Sequence, residues 1–305
     1  MQTSASYQDE ALVDFLTIGH VTRDLIHNDP ESSAYTLGGT VSFAAVTARR
    51  LGYQPFVVTR AAANVDLSFL EAHAEVTVLP SPHTTTFANI YTSNGRVQYC
   101  YTPARSITAA DLPPHLRKPR IALLGPLVGE VTADVAALFP EETLVAAVPQ
   151  GWMRHWDADG LVHAIPWESA SDILPHLDVL ILSIEDIDGD LSQIDSFLQW
   201  VPLVIMTQYK EGSTVYWHHL HEEMVRIIQV PPRPAREVDP TGAGDTFATA
   251  FLLHYRETGD PLQSARYANI TASFGVEAVG VVGIPTHQQV IDYMAAHPWH
   301  WEGGS

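Results

Sequence analysis

The stretch "EVDPTGAGDTFATAF", residues 237–251, sets three small residues and an aspartate between a proline and an apolar run. Phe247, Phe251 and Tyr255 recur every four residues, which places them on one face of a helix that begins at the glycine turn. Amides at a helix start lack intrahelical acceptors, and the helix dipole adds partial positive charge there. Gly242, Ala243 and Gly244 let an anion come close to the backbone, so the turn reads as an anion hole. Asp245 on its lip would repel a phosphate. The conflict is resolved when the carboxylate faces the acceptor, where it can take a hydroxyl proton as that oxygen attacks a γ-phosphoryl group. The alternative is an aspartate that simply complements the helix dipole. Spacing alone does not separate the two.

Outward from this turn, short apolar runs alternate with helical patterns. Strands are expected at 13–21, 56–61, 76–79, 121–125, 144–148, 179–183 and 203–207, and a helix at 39–52. Continuous apolar runs suit parallel strands buried on both faces. "TADVAALF", "WESASDILPHL" and "GDLSQIDSFLQW" read as crossover helices between them. The fold class is therefore α/β, a doubly wound and mainly parallel sheet with helices on both faces. One segment departs from the pattern. "TTTFANIYTSNGRVQYCYT" (84–102) alternates around Asn94-Gly95 and predicts a hairpin outside the main sheet. With the segment near 24–37 it would form a small β flap, on a chain read as one domain over 1–305.

Composition bounds the partners. Sixteen Lys and Arg against 35 Asp and Glu give a net charge of −19, which disfavours nucleic acid and anionic membrane. Cys100 is the single cysteine, so no intramolecular disulfide can form and a reducing, cytoplasmic setting is expected. The first residues lack the pattern of a signal peptide. His218, His219 and His221 read as a solvated strand edge, because alternation sends His218 to the opposite side from the other two. There is no G-x-x-x-x-G-K-[ST] sequence, and Phe247 stands where a dinucleotide fingerprint needs Gly or Ala.

"DPTGAGDTFATAF" resembles the C-terminal signature of the PfkB/ribokinase family of carbohydrate and nucleoside kinases. "GHVTRD", "LGGTVSFAAVTARRLG", "LSIED" and "TQYKEG" resemble further family segments in the same order. The resemblance implies a ribokinase-like fold whose flap is a lid, and ATP-dependent phosphorylation of a small polyol or sugar. By it, Asp245 is the catalytic base and Gly242, Ala243 and Gly244 receive the phosphate. Asp24, Gly38, Gly39, Phe43 and Arg154 fall on the acceptor side, and Thr207, Gly212 and Asn269 near the nucleotide. Ser183, Glu185 and Asp186 would organise magnesium through water, while Asp239 and Thr241 fall where many members hold a monovalent cation such as potassium. Four positions depart from the family pattern: Phe43 and Ser183 replace asparagines, Asp186 a glutamate and Tyr209 a glycine. With "GPLVGE" and "PQGWMR", Phe43 points toward the inositol-kinase branch. A nucleoside kinase and a non-catalytic nucleotide- or sugar-binding regulator of the same fold stand as alternatives. Monomer and homodimer both remain open.

Overall fold

The computed structural model describes residues 13–26, 34–92, 95–218 and 224–299. In chain order the strands are β1 (Phe15–Ile18), β2 (Thr22–Leu25), β3 (Tyr35–Gly38), β4 (Pro55–Ala61), β5 (Glu75–Pro80), β6 (Thr85–Thr92), β7 (Gly95–Thr102), β8 (Ile121–Leu124), β9 (Leu144–Ala147), β10 (Arg154–Trp156), β11 (Val162–Ala164), β12 (Val179–Ser183), β13 (Leu203–Thr207), β14 (Ser213–His218) and β15 (Val225–Val230). The helices are α1 (Thr40–Arg50), α2 (Ser68–Glu71), α3 (Ala133–Ala136), α4 (Ala170–Ile173), α5 (Ser192–Phe197), α6 (Ala243–Thr258), α7 (Pro261–Gly275) and α8 (His287–Ala296).

Nine strands form the main sheet in the order β15-β14-β13-β12-β9-β8-β1-β4-β5. Pairing is parallel from β13 to β5, and β14 and β15 add an antiparallel edge. All four residues of β1, β8 and β9 are buried, as the unbroken apolar runs require. The two sheet faces carry separate cores. On one, Phe247 and Phe251 of α6 are fully buried and stack at 6.3 Å between ring centres, as the four-residue spacing predicts. On the other, the expected crossover helices shrink to the four residues of α3 and of α4 and the six of α5. For α4 proline is one reason: Pro175 stands two residues beyond its end, and the chain tightens there into a 3-10 turn at Leu174–His176. Among the described residues, no helix is long and apolar enough to cross a membrane.

A second sheet, β3-β2-β6-β7, forms the lid. The predicted 84–102 hairpin supplies β6 and β7, and β2 joins β6 in parallel. Asn94 and residues 27–33 of the flap lie outside the described residues, as do His219 and His221.

An unanticipated hairpin, β10–β11, rests on the lid. Its turn, "DADG" at 157–160, is closed by Asp157 Oδ1, which accepts from the amides of Asp159 and Leu161 at 3.0 Å each. Gly160 then has φ +87 and sits so close to β7 that a Cβ would stand 2.8 Å from the Cys100 carbonyl oxygen. The Cys100 amide donates to Gly160 O at 2.8 Å. Cys100 itself is buried, consistent with a packing role.

Candidate active site

The main-sheet order reverses between β1 and β8, and a crevice forms beyond the carboxyl ends of strands at such a switch point. Gly19 and Gly125, which follow these two strands, are packed backbone to backbone. Glu130 shapes the loop behind them. Its carboxylate accepts from the amides of His20 (2.9 Å), Leu127 and Val128 (2.8 Å each), all within a buried site. The His20 ring then reaches the Thr85 hydroxyl at 2.7 Å and Arg105 O at 2.9 Å, tying the exit of β1 to the base of the lid. Sequence reasoning noted "GPLVGE" as a segment and missed Glu130, whose partner His20 is 110 residues away.

At the start of α6, Gly242 takes the left-handed conformation (φ +73, ψ 8), and no side chain caps the helix. The amide of Ala243 closes onto Pro240 O at 3.1 Å, so it is engaged within the turn and not open to an anion as the expected anion hole of Gly242, Ala243 and Gly244 requires. Gly244 follows at the surface, with nothing within 4 Å of where a Cβ would stand, so an anion has room beside it. Phe43 of α1 is placed underneath this turn: a Cβ on Gly242 would meet its ring at 2.1 Å. Its ring is thus packing for the turn and is 7% exposed.

Asp245 is half-buried and hydrogen-bonded to the side chain of Thr40, the first residue of α1. Burial pushes its carboxyl up to about 6; Asp186 adds to the rise, while the Thr40 bond and the Arg154 guanidinium oppose it. Arg154 and Asp186 both line a cavity of about 340 Å³. Val97 and Gln98 of the lid, Gln150 and Met153 after β9, Leu161–Ala164 of the second hairpin, and Glu185 complete its wall. Asp186 Oδ2 accepts from the amide and hydroxyl of Ser183 at 2.7 and 2.9 Å, and Gln150 approaches Oδ1 at 3.5 Å. Two carboxylates on one wall give the hard oxygen donors that magnesium prefers.

The other sequence-predicted residues lie around this centre. Asp24 on β2 packs its carboxylate against Gly38, where a Cβ would come within 2.0 Å, and accepts from the Thr22 hydroxyl at 2.8 Å. Gly39, with φ +88, begins α1. Asp239 accepts from the amides of Thr241 (3.0 Å) and Gly280 (2.8 Å); against the cost of burial, these bonds hold its carboxyl below the usual range. Thr207 donates to Leu182 O at 3.4 Å, and Gly212, at φ +87, ends the loop after β13. The Asn269 amide is committed inside the fold, donating to Ser213 Oγ at 3.1 Å and Val230 O at 2.9 Å.

Tyr209 is exposed and has φ +51, a conformation that costs a side-chain-bearing residue about 1–2 kcal/mol. Tyr209→Gly is therefore expected to stabilise the fold by up to about 1 kcal/mol once glycine's greater unfolded-state freedom is deducted. Thermal melting checks it: an unchanged or lower Tm would contradict the strain.

Comparison with known proteins bears on the fold and on part of the sequence. Residues 161–287 match the model of the pfkB family carbohydrate kinases. Nucleoside kinase from Methanothermobacter thermautotrophicus is 25% identical over 95% of this chain and 97% of its own. Inositol 3-kinase from Zea mays is 27% identical over 89% of this chain and 73% of its own. The match to nucleoside kinase from Methanocaldococcus jannaschii, 28% identical, spans 43% of either protein. Among solved structures, a pyrophosphate-dependent kinase of the ribokinase family, complexed with a pyrophosphate analog and myo-inositol, superposes with a TM-score of 0.73 at 22% identity, covering 91% of this chain and 99% of that one. The chain thus has the ribokinase fold and, across residues 161–287, the sequence pattern of the pfkB family carbohydrate kinases.

Proposed function

We propose that the protein transfers the γ-phosphoryl group of ATP to a hydroxyl of a small polyol or sugar, with Asp245 as general base. One observation carries this reading: a carboxyl that titrates near 6 lies at the uncapped start of α6, within electrostatic reach of Arg154 and Asp186 on the cavity wall. A base with that affinity is unprotonated at neutral pH yet can accept a proton readily. As the acceptor oxygen bonds to phosphorus, its proton passes to Asp245 and the bond to the ADP oxygen breaks. The amides of Gly244 and Asp245, together with the Arg154 guanidinium, would face the charge that moves. Glu185 and Asp186 would hold magnesium, which supplies charge neutralisation on the phosphates when bound. Asp239 and Thr241 would flank a monovalent cation.

An inositol-like acceptor is favoured within this class, because the cavity joins carboxamides and a guanidinium to the apolar Val97, Met153 and Leu161. A nucleoside acceptor is the second reading, supported by similarity to a nucleoside kinase over nearly the full chain. The test is donor consumption with a panel of inositols, pentoses, hexoses and nucleosides, run with ATP and separately with pyrophosphate. Turnover of one polyol or sugar with ATP is the expected result. Donor binding without turnover of any acceptor would instead identify a regulator.

A further inference from the structure

The two hairpins over the cavity are joined by a polar relay that the proposed reaction does not by itself require. Asn89 and Gln98 face each other across β6 and β7, and Gln98 Nε2 donates to Asn89 Oδ1 at 3.0 Å. This bond orients the Gln98 amide. Its remaining oxygen, Oε1, accepts from Arg154 Nη1 at 3.1 Å, on the first residue of β10. Gln98 and Arg154 both line the cavity, so the bond links the lid to the second hairpin along its wall. The hairpin cannot drift independently, since Gly160 and Leu161 are bonded to Cys100 and Tyr99 of β7.

We infer that Gln98 is a positioning residue: oriented by Asn89, it fixes the Arg154 guanidinium at the cavity wall that also carries Asp186. Arginine has many rotamers, and a neutral carboxamide acceptor can restrain it without cancelling its charge. A carboxylate in that place would hold it harder and neutralise it. The charged and titratable groups around the guanidinium are Glu185 and Asp186 beyond β12, His163 on β11 and Asp245 on α6. Each carboxylate competes for Arg154, so without Gln98 the side chain has other places to go. The inference rests on the proposed phosphotransfer for its kinetic consequence, and on geometry alone for the restraint.

The experiment is a double-mutant cycle on the full chain with Gln98→Leu, Arg154→Ala and both together. Gln98→Leu is expected to lower kcat about 10- to 100-fold, the scale for misplacing a group that stabilises the transition state, with little change in donor KM. In the Arg154→Ala background the same change should have less than about a twofold further effect, because the positioned group is gone. A full additive loss there, or wild-type kcat in Gln98→Leu, would overturn the inference. Gln98→Glu, which keeps an oxygen toward Arg154, guards against a folding artefact: it should restore the position if Gln98→Leu melts early. Side-chain ¹⁵N relaxation of Arg154 separates this inference from the phosphotransfer reading. A guanidinium that becomes mobile in Gln98→Leu, or whose chemical shift moves as it pairs with a neighbouring carboxylate, supports the restraint even in a protein that turns over no acceptor, and one that keeps both its wild-type relaxation and its wild-type shift refutes it.

Discussion

Replacing Asp245 with Asn is expected to lower kcat by about 10²- to 10⁴-fold, the range for loss of a general base, while the donor KM should stay nearly unchanged because the α6 amides remain. The wild-type pH profile should carry the same signature. With the carboxyl at about 6, kcat/KM rises with pH below that value and levels off above it. The Asn variant loses this limb. Stability should move the opposite way. The carboxyl is raised from 3.8, so the folded chain binds the proton more tightly than the unfolded one, and wild-type stability falls as pH rises from 3.8 to about 6. Asparagine carries no such penalty. Above pH 6 the variant is therefore expected to melt higher than the wild type, and the gap should close below pH 4. Thermal melts across pH check the linkage. Retained activity in Asp245→Asn would end its role as base.

Gly242→Ala should strongly disrupt the turn at the start of α6. Its φ of +73 excludes a comfortable side chain, and the new Cβ would stand 2.1 Å from the Phe43 ring. The backbone cost of about 1–2 kcal/mol and an overpacking cost of about 1–3 kcal/mol place the expected destabilisation at about 2–5 kcal/mol. Urea unfolding measures it as a lowered midpoint. Since the turn would shift, kcat should also fall about 10²- to 10³-fold, as when one anion-stabilising donor is lost. Adding Phe43→Ala should return part of the stability, because the two changes share one contact. Gly244→Ala is the control. Its Cβ meets no neighbour within 4 Å, so stability should hold while the approach of an anion is hindered. Unaltered stability of Gly242→Ala would show that the ring does not back the turn.

Local signals carried the sequence reading as far as it went. The apolar runs of β8, β9, β12 and β13 announced buried parallel strands, Asn94-Gly95 announced the lid hairpin, and the small residues at 242–244 announced a helix start. The helices α3 to α5 are shorter than their periodic patterns suggest; for α4 the reason is Pro175, and nothing in the structure explains the other two. The three-residue strands β10 and β11 are too short for alternation to register, although "DADG" was an available turn signal. Asp245 could be singled out from its neighbours along the chain. Arg154 and Asp186 were named only through the family resemblance and Thr40 not at all, since all three are far away in sequence and act on Asp245 only through the fold. Phe43 shows the same limit in reverse: its aromatic character was visible, but its contact with Gly242 was not.

Strand margins are templates on which another polypeptide can add by main-chain pairing. The lid presents two, along β3 and along β7, and the second is interrupted where Gly160 takes the Cys100 amide. Among the described residues, a polypeptide that extended this small sheet would find Tyr35–Gly38 as an uninterrupted border, whereas the opposite one is broken at Tyr99 and Cys100 by the chain's own second hairpin, so such an association would be directional.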